Sequence, residues 1–416
     1  MIAKIIGFVS DNWQFFTERK PKSLSFIHIS TSHGKRFSKG RISILLFKDS
    51  AKVPFLVAKF CRDKSYEDSL AKEYKTLNEI SSLGIAPQPK AKTRINEKLV
   101  IFEEFCNGKP IDIELQNIAN SCSSAREENL RSLIRKHFQL ATDVITILNS
   151  KLKLVEHTML HAEIKTLLDN YFARFPSEIY EKDMLRGQSY QILESARNNV
   201  GMRLVNFDMI PSNIVDYKGK PKVIDWEFAG ASTLGFLEPF RFAYYYIFKL
   251  IELGILKCDD FCGLFDSLLS GNHWLSPLVL DFLHKNLQAW HLNSRLLSSE
   301  NKADVLRAFF GAFFAYEAVL QYETMFFPSP EAIERLKLLL GSSNRYSKLR
   351  NDLVSYKNET DEAKATIEQL QAKLYYFNAL IKILTKLHLK KPIKILIKAL
   401  PRRLKDWSKA RLNLHV

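Results

Sequence analysis

Leu204-Val205-Asn206-Phe207-Asp208-Met209-Ile210-Pro211-Ser212-Asn213-Ile214-Val215, followed after a short gap by Ile224-Asp225-Trp226-Glu227, is the densest block of chemistry-bearing residues in this chain. An acid, an amide five positions on, and a second acid closing a short strand supply what phosphoryl transfer needs. One carboxylate orients and deprotonates the attacking hydroxyl, while the amide oxygen and the other carboxylate hold magnesium on the phosphates. Oxygen ligands suit that hard cation. Asp and Asn also favour turns and caps for purely local reasons, so this spacing alone is not specific. The order of features before it along the chain adds the specificity.

Working upstream, Leu24 to Ser30 and Arg41 to Phe47 read as extended runs on either side of a polar segment, which is a hairpin signature. Pro54 to Cys61 reads as a third strand, with Leu56, Ala58 and Phe60 on one face and Phe55, Val57 and Lys59 on the other, because strand side chains alternate. From Tyr66 to Leu83 the residues Leu70, Tyr74, Leu77 and Ile80 recur at helical spacing, with Glu73 in the middle and Gly84 as a stop. Two further strands, Gln88 to Ile95 and Lys98 to Phe105, lead into the turn-rich break Cys106 to Pro110. Beyond it, helical periodicities run from Ala125 to Leu152, Leu160 to Phe175, Leu237 to Leu253 and Ser276 to Met325, interrupted by a short strand pair at Leu204 to Phe207 and Val223 to Trp226. Strands first and helices afterwards predict an α+β protein of two lobes, a β-rich lobe over 1–105 and a helical lobe over 106–340.

After Gly341 the steps from Leu349 through Leu353, Tyr356, Thr360, Ala363, Ile367, Leu370, Leu374, Phe377 and Ile381 to Leu384 alternate four and three. That heptad predicts a coiled coil over 341–378 and self-association through it, with a single amphipathic helix packed on the second lobe as the alternative. Residues 379–416 form a basic amphipathic tail: from Lys382 to the end there are eleven Lys or Arg and one acid, Asp406. The tail therefore carries most of the formal charge of +16. Apolar and cationic residues so interspersed, broken by Pro392 and Pro401, predict a segment lying on an anionic membrane surface rather than one spanning it. No aromatic or zinc-type reading module accompanies the charge, so nucleic acid is not an expected partner. Five cysteines at scattered spacings fit reduced thiols in the cytosol. A cytoplasmic protein, peripheral on the inner face of the membrane, is the expected location.

Taken together, these residues resemble the aminoglycoside phosphotransferase and choline kinase family, whose loop motif H-G-D-x-x-x-x-N is followed by I-D-[WFP]-E. The matching residues are Asn206-Phe207-Asp208 with Asn213, and Ile224-Asp225-Trp226-Glu227. The resemblance covers roughly residues 20–335, and its specific part is Leu204 to Gly230. It implies a protein kinase-like fold, Asp208 as catalytic base, and Asn213 and Asp225 as magnesium ligands. Through Val57-Ala58-Lys59 it implies that Lys59 contacts the nucleotide phosphates with Glu73 as ion-pair partner. Phe102-Glu103-Glu104-Phe105 matches the segment joining the lobes, so Glu103 and Phe105 are expected at the adenine. ATP and Mg2+ are the implied cofactors, and the implied acceptor is a hydroxyl of a small molecule, a saccharide or a lipid-linked compound. The motif's His and Gly are replaced here by Asn206 and Phe207. That departure supports a second reading, a catalytically inactive kinase-fold scaffold that oligomerises at the membrane.

Overall fold

The computed structural model describes residues 1–30, 41–120, 126–174, 179–196, 199–258, 261–288, 290 and 302–324. The chain divides into two units, Met1–Gly341 and Ser342–Val416. The coiled coil and the basic tail expected over 341–416 lie outside the described residues, as does the polar hairpin segment 31–40.

The first lobe opens with α1 (Ile2–Asp11) and contains β1 (Leu24–Ser30), β2 (Arg41–Lys48), β3 (Leu56–Cys61), α2 (Glu67–Ile80), β4 (Pro89–Ile95) and β5 (Lys98–Glu104). The strands form an antiparallel sheet in the order β1-β2-β3-β5-β4. Alternation gives the sheet two different faces. Ile42, Ile44 and Leu46 of β2 join Leu56, Ala58 and Phe60 of β3 in a core closed by Ile5 and Val9 of α1. Phe8 and Phe16 bring their rings to 5.5 and 5.1 Å from Phe102, which fixes α1 on that face. Lys59 is thereby turned to the opposite face, the roof of the interlobe cleft, as the β3 pattern predicts.

The second lobe contains β6 (Lys109–Pro110), α3 (Ile111–Ala119), α4 (Arg126–Asn149), β7 (Lys153–Glu156), α5 (His157–Arg174), α6 (Ile179–Ser195), β8 (Asn199–Val205), β9 (Ile214–Tyr217), β10 (Lys220–Val223), β11 (Gly230–Ser232), α7 (Leu237–Glu252), α8 (Phe261–Leu269), α9 (Ser276–Gln288) and α10 (Lys302–Thr324). Its core centres on Phe138, whose ring meets Phe242, Tyr246 and Phe282 edge-on. The aromatic run of α10 is core, with Phe309, Phe310 and Phe313 buried.

Two expectations need correction. The strands around Leu204 and Val223 do not pair with each other: Val223 pairs with Ile214, and Val205 pairs with Gly230. β9 and β10 close a tight hairpin on each other through Lys218–Gly219, which takes Val223 as the partner of Ile214, and β8 is left to pair with β11 and β7. Among the described residues, the long periodicity expected from Ser276 to Met325 is seen as α9 (Ser276–Gln288) and α10 (Lys302–Thr324), and Trp290 stands in a turn after α9. Trp290 is buried against Gly201 and Gly235, where a Cβ would collide with the indole, so this aromatic serves as a fixed corner rather than a position on a continuous helix.

Candidate active site

The loop after β8 is organised by Asn206, which is fully buried. Its Oδ1 accepts from the Asp208 backbone N–H at 2.9 Å, and its Nδ2 donates to the Asp225 carbonyl at 3.0 Å. An amide offers one donor group and one acceptor, as a neutral imidazole does, so Asn206 ties together the two loops that carry the acids. The Asn206 backbone N–H donates to Glu238 Oε1 of α7, and Arg203 Nη2 donates to Glu238 Oε2 at 2.6 Å, with both of these side chains fully buried.

Phe207 stands where the family motif has glycine, and its φ of 57° lies in the left-handed region that glycine favours. Its ring stacks on Tyr316 of α10 at 5.2 Å, and this packing offsets the backbone cost. Asp225 also has a left-handed φ of 63°. Non-glycine residues in that region cost about 1–3 kcal/mol each and persist where the surroundings over-determine them.

Asp208 is held on both oxygens. Oδ1 accepts from Arg241 Nη2 at 2.9 Å, and Oδ2 accepts from Asn213 Nδ2 at 2.8 Å. Burial pushes its carboxyl up to about 6, against the pull of Arg241 in the other direction. Arg241 continues to Glu317 Oε2 of α10 at 2.6 Å, so the network ties the loop carrying Asp208 to that helix.

On the cleft roof, Lys59 Nζ lies 2.8 Å from Glu73 Oε1 of α2 and 2.8 Å from Glu103 Oε1 at the end of β5. Burial pushes the Glu103 carboxyl up to about 7, with Lys59 opposing and the neighbouring Glu73 charge adding to the rise. Glu73 moves the other way: burial opposes its ionisation, but Lys59 and Arg41 together hold it below its ordinary value. Arg41 at the start of β2 reaches Glu73 Oε2 at 2.9 Å, Glu227 Oε2 at 3.2 Å and Asp225 Oδ1 at 3.4 Å.

These groups enclose a cleft of about 420 Å³ between the lobes. Leu45 and Val57 form an apolar roof, Glu103, Phe105 and Cys106 the rear, and Asn213, Ile224 and Asp225 the floor. The predicted residues Lys59, Glu103, Phe105, Asn213 and Asp225 all line it; Glu73 joins through Lys59, and Asp208 through Asn213. Glu103 differs from its expected role in one respect, since its carboxylate is directed to Lys59.

Arg41, Arg241, Glu238 and Glu317 were not singled out by the sequence. Only Arg41 had a local signal available: alternation along β2 puts it on the face opposite Ile42, Ile44 and Leu46.

The donor set fits a divalent cation held together with phosphates. The Asn213 Nδ2 is committed to Asp208, which leaves its Oδ1 to ligate, and the Asp225 side chain is 39% exposed toward the cleft. Both offer oxygen, as a hard cation requires. Glu103 Oε2, beside the cleft, is buried without a hydrogen-bond partner, an orphaned oxygen of the kind a polar ligand satisfies.

No protein-family model matches the chain, and no curated protein matches it. Solved structures similar to it are phosphotransferases. A thermostable mutant of aminoglycoside phosphotransferase APH(4)-Ia is 13% identical with a TM-score of 0.45, the match covering 79% of this chain and 97% of that one. The macrolide 2'-phosphotransferase MphH from Brachybacterium faecium is 9% identical with a TM-score of 0.44, covering 82% and 98% respectively. The ADP-bound aminoglycoside phosphotransferase APH(2'')-Ib is 14% identical with a TM-score of 0.39, covering 82% and 97%.

Proposed function

We propose that this protein is an ATP-dependent phosphotransferase acting on a hydroxyl of a small-molecule, saccharide or lipid-linked acceptor. The observation that carries this reading is the locked Asp208 carboxylate, joined through Asn213 to a cleft that also presents Asp225 and the Lys59–Glu73 pair. Lys59, Asn213 and Asp225 would hold the phosphates and Mg2+, and the apolar roof of Leu45 and Val57 would cover the base. The bound metal and nucleotide supply the electrophilic phosphoryl group and the charge that stabilises its transfer.

Each Asp208 oxygen has one hydrogen bond in the structure and a second lone pair available, so the carboxylate has the capacity to accept an acceptor hydroxyl's proton. A carboxyl raised to about 6 stays mostly ionised at neutral pH and is a stronger base than an ordinary aspartate. Arg241 and Asn213 orient it, and Asn206 and Glu238 fix the loop beneath it.

Incubation with γ-labelled ATP, Mg2+ and a panel of hydroxyl acceptors tests the reading: label moves to an acceptor in the wild type and not in Asp208→Asn. The rival, an inactive scaffold, draws on Phe207 standing in left-handed backbone. Magnesium-dependent nucleotide binding without transfer to any acceptor would establish it. The doubly bonded Asn206 favours the active enzyme, because it supplies the scaffold that the replaced His would give.

Two parts of the proposal rest on sequence alone. The heptad from Leu349 to Leu384 supports self-association, and the basic tail supports attachment to an anionic membrane surface on the cytoplasmic side, which would place the acceptor there. No helix among the described residues is long and apolar enough to cross a membrane. Vesicle flotation of the full chain and of a version ending near Phe377 checks the tail. The full chain should float with anionic lipid, and equal flotation of the two would refute the attachment.

A further inference from the structure

The underside of the sheet carries a second cation beside Lys59. In the β2–β3 pairing, Leu45 lies opposite Val57, Ser43 opposite Lys59, and Arg41 opposite Cys61. Side chains two apart share a face, so Leu45, Ser43 and Arg41 form a row over the cleft, and all of them line it. The row has a direction. Val57 pairs with Glu103, next to the Phe105–Cys106 rear of the cleft, whereas Arg41, opposite Cys61, lies four pairings further away and two beyond Ser43–Lys59. At 3.2–3.4 Å per residue, Arg41 stands about 7 Å beyond the Ser43–Lys59 pair. A nucleotide with its base at the rear and its first phosphates at Lys59 therefore directs its terminal phosphate toward Arg41.

The surroundings of Arg41 are those of a stored charge rather than of a simple structural ion pair. Its guanidinium touches acids from both lobes: Glu73 at 2.9 Å above, and Glu227 at 3.2 Å and Asp225 at 3.4 Å below. The longest of these contacts is to Asp225, the residue whose carboxylate fits the metal. Its Nε is buried and makes no hydrogen bond, so one edge of the planar fork is unused. A divalent cation brought to the Asp225 carboxylate would stand close to the guanidinium on Oδ1, and like charges at that separation repel.

We propose that Arg41 is the counter-ion of Asp225 and Glu227 in the metal-free protein and a phosphate ligand in the nucleotide complex. It neutralises Asp225 and Glu227 in the free protein, yields Asp225 to the arriving metal, and turns its fork to the terminal phosphate of a nucleoside triphosphate. Arginine suits this exchange because its rigid donors match phosphate oxygens in pairs. The inference rests on reading the cleft as a metal-nucleotide site, and it adds a selectivity for triphosphate over diphosphate.

The test uses the full chain as wild type, Arg41→Met and Arg41→Gln, with circular dichroism to verify the fold of each variant. Calorimetry with ADP and with AMP-PNP, each with Mg2+, gives the affinity ratio between diphosphate and triphosphate. Loss of a charge-assisted contact to the terminal phosphate should reduce AMP-PNP affinity about tenfold, with the ADP affinity changed far less. Manganese alone, followed by electron paramagnetic resonance, should bind more tightly to either variant once the competing guanidinium is gone. Should Arg41→Met fail to fold, Arg41→Gln, which retains polar contact with Glu73, decides. A folded variant with the wild-type AMP-PNP to ADP ratio overturns the proposal. A wild type that binds neither nucleotide overturns the cleft reading itself, a separate and recognisable outcome.

Discussion

Glu238 is the buried anchor of the loop that carries Asn206 and Asp208, and Glu238→Gln isolates what its charge does. The glutamine retains an oxygen for the Asn206 N–H but leaves Arg203, fully buried, without its counter-charge. Breaking a buried pair by removing one partner costs about 3–5 kcal/mol. Arg203 keeps Asn149 Oδ1 at 2.7 Å, the Leu204 carbonyl at 2.8 Å and the Trp290 ring at 5.3 Å. These contacts soften the loss, so the lower end, about 3 kcal/mol, is the expectation. In thermal melting that corresponds to a fall of about 5 °C or more. The companion variant Arg203→Met with Glu238→Gln removes the stranded charge and should recover more than half of the fall, because a buried pair replaced as a whole costs little. A single variant that melts within about 1 °C of wild type, or a double variant that loses the sum of both singles, would refute the reasoning.

Glu103 gives a pH signature. A buried carboxyl raised from 4.5 to about 7 takes up protons on folding, so its contribution to stability is fully present below 4.5 and is lost as pH rises through 7. Melting temperatures of wild type and Glu103→Gln should therefore shift relative to each other across that window, with Glu103→Gln gaining as pH rises, and a constant difference would contradict this. At Phe207 the usual helix and strand order of alanine over glycine should invert. Phe207→Gly and Phe207→Ala both lose the Tyr316 stack, but only alanine keeps the left-handed strain, so glycine should be the more stable by about 1 kcal/mol in denaturant titration. Equal stability, or alanine ahead, would remove the strain argument.

Much of the site was legible because its parts obey local rules. Lys59 is placed by strand alternation, Glu73 by helical spacing, and Asp208, Asn213 and Asp225 by a motif that spans a single loop and hairpin. Arg41 with Asp225, 184 residues apart, and Arg241 with Glu317, 76 apart, share no spacing that a sequence pattern registers. Their pairing exists only once the lobes and α10 are packed. The same holds for Glu103: its position at the end of β5 was readable, but its turn toward Lys59 depends on the β3–β5 register. The mispaired strands at Val205 and Val223 show the converse, since two apolar runs do not reveal that the short β11 and β9 pair with them instead. The helix α6 escaped because its apolar residues follow no regular face, and α8 because its nine residues are too short for a periodicity to register.

The roles proposed for Asp208 in moving a proton and for Asn213 and Asp225 in holding the metal separate in one paired measurement. Turnover with labelled ATP and the magnesium dependence of ATP affinity are determined for wild type, Asp208→Asn and Asp225→Ala. Loss of a general base lowers turnover about 10²–10⁴-fold, so Asp208→Asn should lose transfer while binding Mg-ATP nearly as wild type does. Asp225→Ala should instead lose the magnesium-dependent part of ATP binding. Wild-type turnover in both variants, on an acceptor that the parent phosphorylates, would contradict the assignment of this centre.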